Sequence, residues 1–334
     1  MTAVIPISDI DAKISHYQHV LSSLPWSDPL IVSLILKLGC LYHDRCAESR
    51  QKEDLDGSIF YFTQAIFVSR PSWDVLVGDK YIVLAFFCLA FALVQRAEHF
   101  NEPSDAQCCV LALKYLRYLQ SQPLEALNIP SNQVRALVVV GLASQVKTGI
   151  GDPVRHFDEM TDHCRELLAS DDSQSHLLRA ATALASAKLA NHDPSYVLEV
   201  SDKVIKCLRD ANRRLDSPEL AHDFAVCLFA RFKETHAIDD YEEAMAIFDK
   251  IISSESNKKH PGPYLAHAAY SSALLACGRV RIYMNPEHIE EAVHHCGSFL
   301  RISSTDDPRR RSIKVDLAMV MKRRSEWFGV TERP

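Results

Sequence analysis

Residues Pro29–Ser69 read PLIVSLILKLGCLYHDRCAESRQKEDLDGSIFYFTQAIFVS, two apolar-periodic runs separated by a short charged joint. The first run predicts a helix over Pro29–Glu48 and the second a helix over Asp54–Ser69, because their apolar residues recur at three and four. Gly39 sits near the middle of the first run, and Ser58, Phe62 and Ala65 follow in the second at spacings of four and three. That spacing keeps the three anchors on one stripe, and a small residue opposite lets two helices approach closely.

The same arrangement recurs along the chain. A first helix is expected from Ser8 or Asp9 to Leu24, then six pairs, then a last helix over Pro308–Phe328. After Pro29–Ser69 the pairs are Asp79–Phe100 with Ser104–Gln120, and Asn132–Thr148 with Pro153–Ala169. Then come Gln174–Ala190 with Pro194–Asp210, Pro218–Thr235 with Asp240–Ser254, and Tyr264–Tyr283 with Pro286–Arg301. A small residue marks each first helix: Gly39, Ala92, Gly141, Ala181, Ala225 and Ala273. Anchors follow 19, 23 and 26 residues later, as in Leu111, Tyr115 and Tyr118 or Met160, Cys164 and Leu167. A unit of about 45 residues made of two helices is the mark of an α-solenoid. A closed bundle would need fewer, longer helices and a sustained heptad, which the sequence lacks.

Proline placement agrees. None of the 15 prolines falls inside a predicted helix, and Asp28-Pro29, Asp152-Pro153, Asp193-Pro194, Ser217-Pro218, Asn285-Pro286 and Asp307-Pro308 repeat one device. A side-chain oxygen caps the first free N–H groups, and the proline has none to leave unpaired. The expected fold is therefore all-α, an α-α superhelix of about 14 antiparallel helices. Residues 1–28 form an N-terminal cap, 29–306 six helical hairpins, and 307–334 a C-terminal cap.

Two motifs carry a family resemblance. Leu38-Gly39-x-x-Tyr42 followed by Ser58, Phe62 and Ala65 resembles the tetratricopeptide (TPR) pattern of L-G-x-x-Y, then A, F and A. Asp239-Asp240-Tyr241-Glu242-Glu243-Ala244-Met245-Ala246-Ile247-Phe248 and Glu53-Asp54-Leu55-Asp56-Gly57-Ser58-Ile59 look like the second-helix openings of long fungal TPR arrays, which often precede a caspase-like CHAT domain. Nothing here matches that domain's His or Cys motif, so its protease activity is not carried over. The unit is also longer than the family's usual 34 residues. The resemblance implies a right-handed superhelix that binds a peptide or partner domain in its concave groove.

Composition bounds the remaining readings. A net charge of −6 leaves no footprint for nucleic acid. The most apolar stretch, Tyr81–Val94, falls short of the ~20 residues that span a bilayer, so no membrane role is expected. Ten cysteines without a CxxC pair point to a reducing compartment, cytoplasmic or nuclear.

Four clusters invite a chemical reading. Asp239, Asp240 and Glu243 form a DDxxE, the basis of an alternative as an all-α metal-dependent enzyme of the terpene-synthase type. The second metal motif of such enzymes is missing, and Asp239 as N-cap with Glu242 as capping-box partner explains the acids instead. Cys40-x-x-His43-x-x-Cys46 turns its third ligand about 120° from the first, and two small apolar cysteines account for it. His288, His294, His295 and Cys296 cannot all converge from one helix, and solvent-facing histidines are expected. Arg309, Arg310, Arg311, Lys314, Lys322, Arg323 and Arg324 give the last helix a polar outer face, partly balanced by Asp306, Asp307, Asp316 and Glu326, with Val315, Ala318, Met319 and Trp327 on its buried side.

Neither a catalytic residue, a metal site nor a cofactor is expected. Transferring TPR groove offsets places His43, Arg96, Arg135, Gln145, His222, His267 and Tyr270 on the concave face. That weakly cationic set suits an acidic peptide. The expected function is a protein–protein interaction scaffold, not an enzyme.

Overall fold

Side-chain oxygens start the helices where the Asx-Pro and Ser-Pro pairs stand. Asp28 Oδ1 accepts from the Leu30 N–H at 2.8 Å, Asp152 from Val154 at 3.0 Å, and Ser217 Oγ from Leu220 at 3.3 Å. Asn285 accepts from Glu287 at 3.0 Å and Asp307 from Arg309 at 2.9 Å. Each cap contributes on the order of 1 kcal/mol by satisfying a donor that the helix itself leaves open. Asp193-Pro194 lies outside the described residues.

The computed structural model describes residues 7–26, 28, 30–69, 80–100, 103–121, 124, 129–170, 174–190, 197–256, 258, 262–283 and 285–328. Those residues form 14 α-helices. They are α1 (Ile7–Ser23), α2 (Leu30–Ser49), α3 (Lys52–Val68), α4 (Lys80–Phe100), α5 (Pro103–Gln120), α6 (Ser131–Lys147) and α7 (Pro153–Ala169). The rest are α8 (Gln174–Ala190), α9 (Val197–Arg214), α10 (Pro218–Thr235), α11 (Ile238–Ser256), α12 (Tyr264–Ile282), α13 (Pro286–Ile302) and α14 (Arg309–Phe328). Among the described residues there is no strand. All 14 expected helices are present.

The chain divides into two compact units, Met1–Ala183 and Leu184–Pro334, a boundary inside α8 that the helical periodicity did not signal. In the first unit each helix from α1 to α7 packs on the next, and α2, α4 and α6 also touch in a row. The second unit repeats the scheme, with α9 to α14 packing in order and α10, α12 and α14 in contact. Among the described residues, helices in extensive contact are one or two steps apart, as stacked hairpins require and a closed bundle does not.

The small-residue register is observed as close packing. Ala92, Ala181, Ala225 and Ala273 are fully buried, and the anchors Met160, Cys164, Leu167, Ala244, Phe248, Ala292, Cys296 and Phe299 are inaccessible. A Cβ placed on Gly39 would lie 2.5 Å from Phe62 Cε1, and one on Gly57 2.7 Å from Tyr42 Cδ1. The second pair departs by one residue. Leu111 is exposed, whereas Ala112, Leu116 and Leu119 are fully buried. Tyr115 and Tyr118 lie at the edge of the stripe, where their rings meet Phe86 at 4.8 and 5.8 Å. Leu93, not Ala92, is the residue that keeps the 19-residue spacing to Ala112.

The first and fifth pairs share a turn and an ion pair. Arg50 (φ 55°) and His236 (φ 57°) are the only non-glycine residues described in the left-handed region, and each stands 11 residues after its small marker. Each N–H returns 2.8 Å to the carbonyl four residues back, Cys46 and Phe232 respectively. This closes the first helix and reverses the chain within a short joint. Beside the turn, Arg45 Nη2 meets the buried Asp54 at 2.6 Å and its Nη1 meets Asp11 of α1 at 2.6 Å. Arg231 likewise meets the buried Asp240 at 2.5 Å and Asp202 of α9 at 2.5 Å. One arginine thus ties the first helix of a hairpin to its own second helix and to the helix before.

The apolar segment in α4 is longer than the sequence suggested. Tyr81–Phe100 is long and apolar enough to cross a membrane by length and composition, yet half of it is buried within the protein. Ile82, Ala85, Leu89, Ala92 and Val94 face inward, which is what an inner helix of a stacked array needs.

In α14 the buried side differs from the expected one. Ile313 and Val320 are fully buried, while Val315 is 66% and Trp327 49% exposed. The helix is turned so that Asp316 meets Arg281 of α12, which rotates Val315 and Ala318 outward.

Candidate functional site: a ring-lined helix row

The side-by-side helices α10, α12 and α14 bring three of the expected site residues together. His222 of α10 lies 5.8 Å from His267 and 6.2 Å from Tyr264 of α12, centroid to centroid. Tyr264 and His267 are one turn apart on α12, at 6.1 Å. Tyr270 follows one turn later and packs on Phe299 at 5.4 Å. From α14, the Arg309 guanidinium lies 5.4 Å from the Tyr270 ring. The backbones approach closely because small residues face across: Ser271 opposes His222, and Gly278 opposes Phe229, whose Cε2 would meet a Cβ there at 3.7 Å.

Hydrogen bonds hold the His222 ring in place. Nδ1 lies 3.2 Å from Asp223 Oδ1 and Nε2 lies 3.3 Å from Ser271 Oγ. Burial, then the nearby Arg309 and His222, hold His267 below its ordinary pKa. Burial, with Glu219 and Asp223, pushes the Tyr264 phenol up. Arg309 is already matched, its guanidinium meeting Asp307 at 2.6 Å, and this holds the Asp307 carboxyl down at about 2.

The other four expected residues belong to the first unit, each with its own partner or burial. His43 Nε2 donates to Gln95 Oε1 at 2.5 Å, with its ring 5.2 Å from Phe91. Arg96 meets Asp56 at 2.6 Å and Arg135 meets Glu166 at 2.5 Å. Gln145 is buried, inside a helix whose middle is almost wholly enclosed. Sequence offsets did not show these pairings. They also missed Tyr264, Asp223, Glu219 and Arg309. The signal for Glu219 and Asp223 lay beside His222 on the same helix face, and for Tyr264 one turn before His267.

The metal-like motifs are taken up by packing. Asp240 is buried on Arg231, and Glu243 accepts from Arg209 at 2.7 and 2.8 Å. Two carboxylates held by guanidiniums are neutralised and cannot turn together toward a cation. Asp239 is not the N-cap: α11 begins at Ile238, so Asp239 lies in the first turn, where the helix dipole favours it. Cys40 is exposed rather than buried and shares a hydrogen bond with Cys88, while Cys46 is buried; with His43 turned to Gln95, the three diverge. His295 is buried, contrary to the solvent-facing expectation, and its pKa is lowered by that burial. Cys296 lies 3.4 Å from Cys277, sulfur to sulfur. Among the described residues no group of three or more His, Cys, Asp or Glu is arranged to hold a metal ion.

The basic residues of α14 are likewise largely engaged. Arg310 donates to the Leu300 and Ser303 carbonyls at 2.7 and 3.0 Å, closing the end of α13, and Arg324 meets Glu290 at 2.7 Å.

No family model matches the chain, and no curated protein matches it. Among solved structures, one of Nro1, a hypoxic regulator of sterol synthesis described as a nuclear import adaptor, covers 98% of this chain and 96% of its own. The identity is 11% and the TM-score 0.34. A second, of the S. pombe nuclear import adaptor Nro1, covers 97% of each chain at 11% identity and a TM-score of 0.32. Similarity at that level carries no argument about this chain.

Proposed function

We propose that the chain is a protein-interaction scaffold of TPR-like helical hairpins, and that the face formed by α10, α12 and α14 receives part of a protein partner. The observation that carries this reading is the row itself. His222, Tyr264, His267 and Tyr270 are half-buried or exposed rings aligned across adjacent helices, with His267 open to solvent. Rings of this kind offer large contact area at little conformational cost, and half-exposed ones gain by being covered.

An acidic peptide bound through Arg96 and Arg135 fits less well, since it would have to displace Asp56 and Glu166. The enzyme alternative through Asp239, Asp240 and Glu243 is disfavoured by the arginines that hold two of the three. A reducing compartment, cytoplasmic or nuclear, suits the ten free thiols.

The test is affinity capture with quantitative mass spectrometry. The parent is compared with Tyr264→Ala/His267→Ala, and with Lys322→Ala on the exposed side of α14 as control. Partners should be lost with the row variant and retained with the control. An identical captured set for all three proteins would refute the assignment of the row.

A further inference from the structure

The two consecutive steps of the second unit are built alike, and one lacks what the other supplies. Tyr270 stands three residues before the small marker Ala273, and His222 three residues before Ala225, so the two rings are equivalent. Each leans on a buried phenylalanine of its own hairpin, Tyr270 on Phe299 at 5.4 Å and His222 on Phe248 at 6.0 Å. In the step from α12 to α14 the next helix covers the ring with a cation. The Arg309 guanidinium lies 5.4 Å from Tyr270 and 5.8 Å from Phe299, and Asp307 holds it there through contacts of 2.6 to 3.2 Å.

In the step from α10 to α12 the carboxylates are present and, among the described residues, no arginine takes the place of Arg309. Tyr264 and His267 cover His222 in place of an arginine. Glu219 is exposed one turn before His222, close enough to Tyr264 to help push its phenol pKa up. Asp223 is 29% exposed, and the contact described for its carboxylate is with the His222 ring at 3.2 Å. Arg309, the cation on the far side of His267, is spent on Asp307. Among the described residues, the step therefore presents ring faces and two carboxylates with no arginine or lysine paired to them.

We propose that the α10–α12 step is a pocket for a basic side chain, arginine or lysine, contributed by the protein partner. Its cationic head would lie over His222 and Tyr264 between Asp223 and Glu219. A cation gains there from the ring faces and from charge-assisted hydrogen bonds together, the combination that Arg309 makes one step along. A polyanion is excluded by sign. This proposal rests on the scaffold reading and names what that scaffold recognises.

The experiment titrates the full chain at low salt with a tri-arginine peptide and with a tri-citrulline peptide of the same shape and no side-chain charge. It follows the imidazole 1H–13C resonances. The tri-arginine peptide should shift His222 and His267 saturably and leave the exposed His16 of α1 unmoved, while tri-citrulline should shift none. Glu219→Gln/Asp223→Asn, isosteric and on the surface, should bind tri-arginine at least about tenfold more weakly at an unchanged melting temperature. Tyr264→Phe, which keeps the ring and removes the phenol near Glu219, should retain binding. Absence of a shift, an equal response to citrulline, or an unaffected acid-to-amide variant would overturn the pocket. Captured partners that are lost with Tyr264→Ala/His267→Ala but kept with the acid-to-amide variant would leave the scaffold standing without this pocket. Tri-arginine binding as stated, with no captured partner depending on the row, would do the reverse.

Discussion

Replacing Gly39 and Gly278 with alanine, one at a time, should move stability in opposite directions. Both lie inside first helices of hairpins, and in a free helix alanine is favoured over glycine by about 1 kcal/mol. What differs is the space. A Cβ on Gly39 would stand 2.5 and 2.6 Å from two ring carbons of Phe62, which is 2% exposed, so the ring or the helix must move by roughly 1 Å to restore contact distance. Overpacking of a closed core costs about 1–3 kcal/mol. The net expectation for Gly39→Ala is therefore a loss of up to about 2 kcal/mol. A Cβ on Gly278 meets only Phe229 Cε2 at 3.7 Å, an ordinary contact, so the helix gain of roughly 0.5–1 kcal/mol stands. For units of this size each kcal/mol corresponds to about 2–4 °C in melting temperature. Urea and thermal unfolding of the two variants should thus separate them by several degrees about the parent. A second arm tests the cause: Phe62→Leu in the Gly39→Ala background should cost less than the sum of the singles, because the atoms in collision are gone. Gly39→Ala as stable as Gly278→Ala, or strictly additive with Phe62→Leu, would refute the close approach on which the hairpin register rests.

Gly141→Leu should destabilise by at least ~1–3 kcal/mol in thermal melts, since even a Cβ there sits 3.1 Å from Leu113 Cδ2 of α5. Asp240→Ala should cost about 2–4 kcal/mol in urea unfolding, because it leaves Arg231 mostly buried with only the exposed Asp202 as partner; Asp202→Ala should cost well under 1 kcal/mol. The Asp307 carboxyl, held at about 2 by Arg309, should stabilise the fold above the ordinary carboxylate pKa and lose that contribution as pH falls from ~4 through about 2. Arg309→Gln should move its carbon-detected titration up toward the ordinary range, and an unshifted titration would break the proposed Asp307–Arg309 unit.

The helices were legible because each begins and ends with a local signal. Asp152, Ser217 and Asn285 cap at the residues where the sequence placed them, and the 3.6-residue pattern fills the intervals. Rotation about a helix axis was less legible, since one residue turns a face by 100°. Apolar composition alone did not separate Leu111 from Ala112 in α5, nor Val315 from Ile313 in α14. In the first case the Phe86 contacts with Tyr115 and Tyr118 decide the angle, and in the second the Arg281–Asp316 pair does. Both come from other helices.

The candidate site shows the same boundary between position and partner. Groove offsets assigned His222, His267 and Tyr270 to a concave face, and the structure shows His222 and His267 in ring contact with Tyr270 one turn further along α12. The offsets could not show whether a cation on that face is available, because availability depends on acids far away in sequence. Arg96 is met by Asp56 and Arg135 by Glu166, 40 and 31 residues distant. The charge of a face is therefore set by what remains after internal pairing, not by the residues that point toward it. In the first unit that subtraction ties up the two arginines that had suggested an acidic partner. In the second, among the described residues, it leaves Glu219 and Asp223 beside three rings, and the partner proposed for that face is basic rather than acidic.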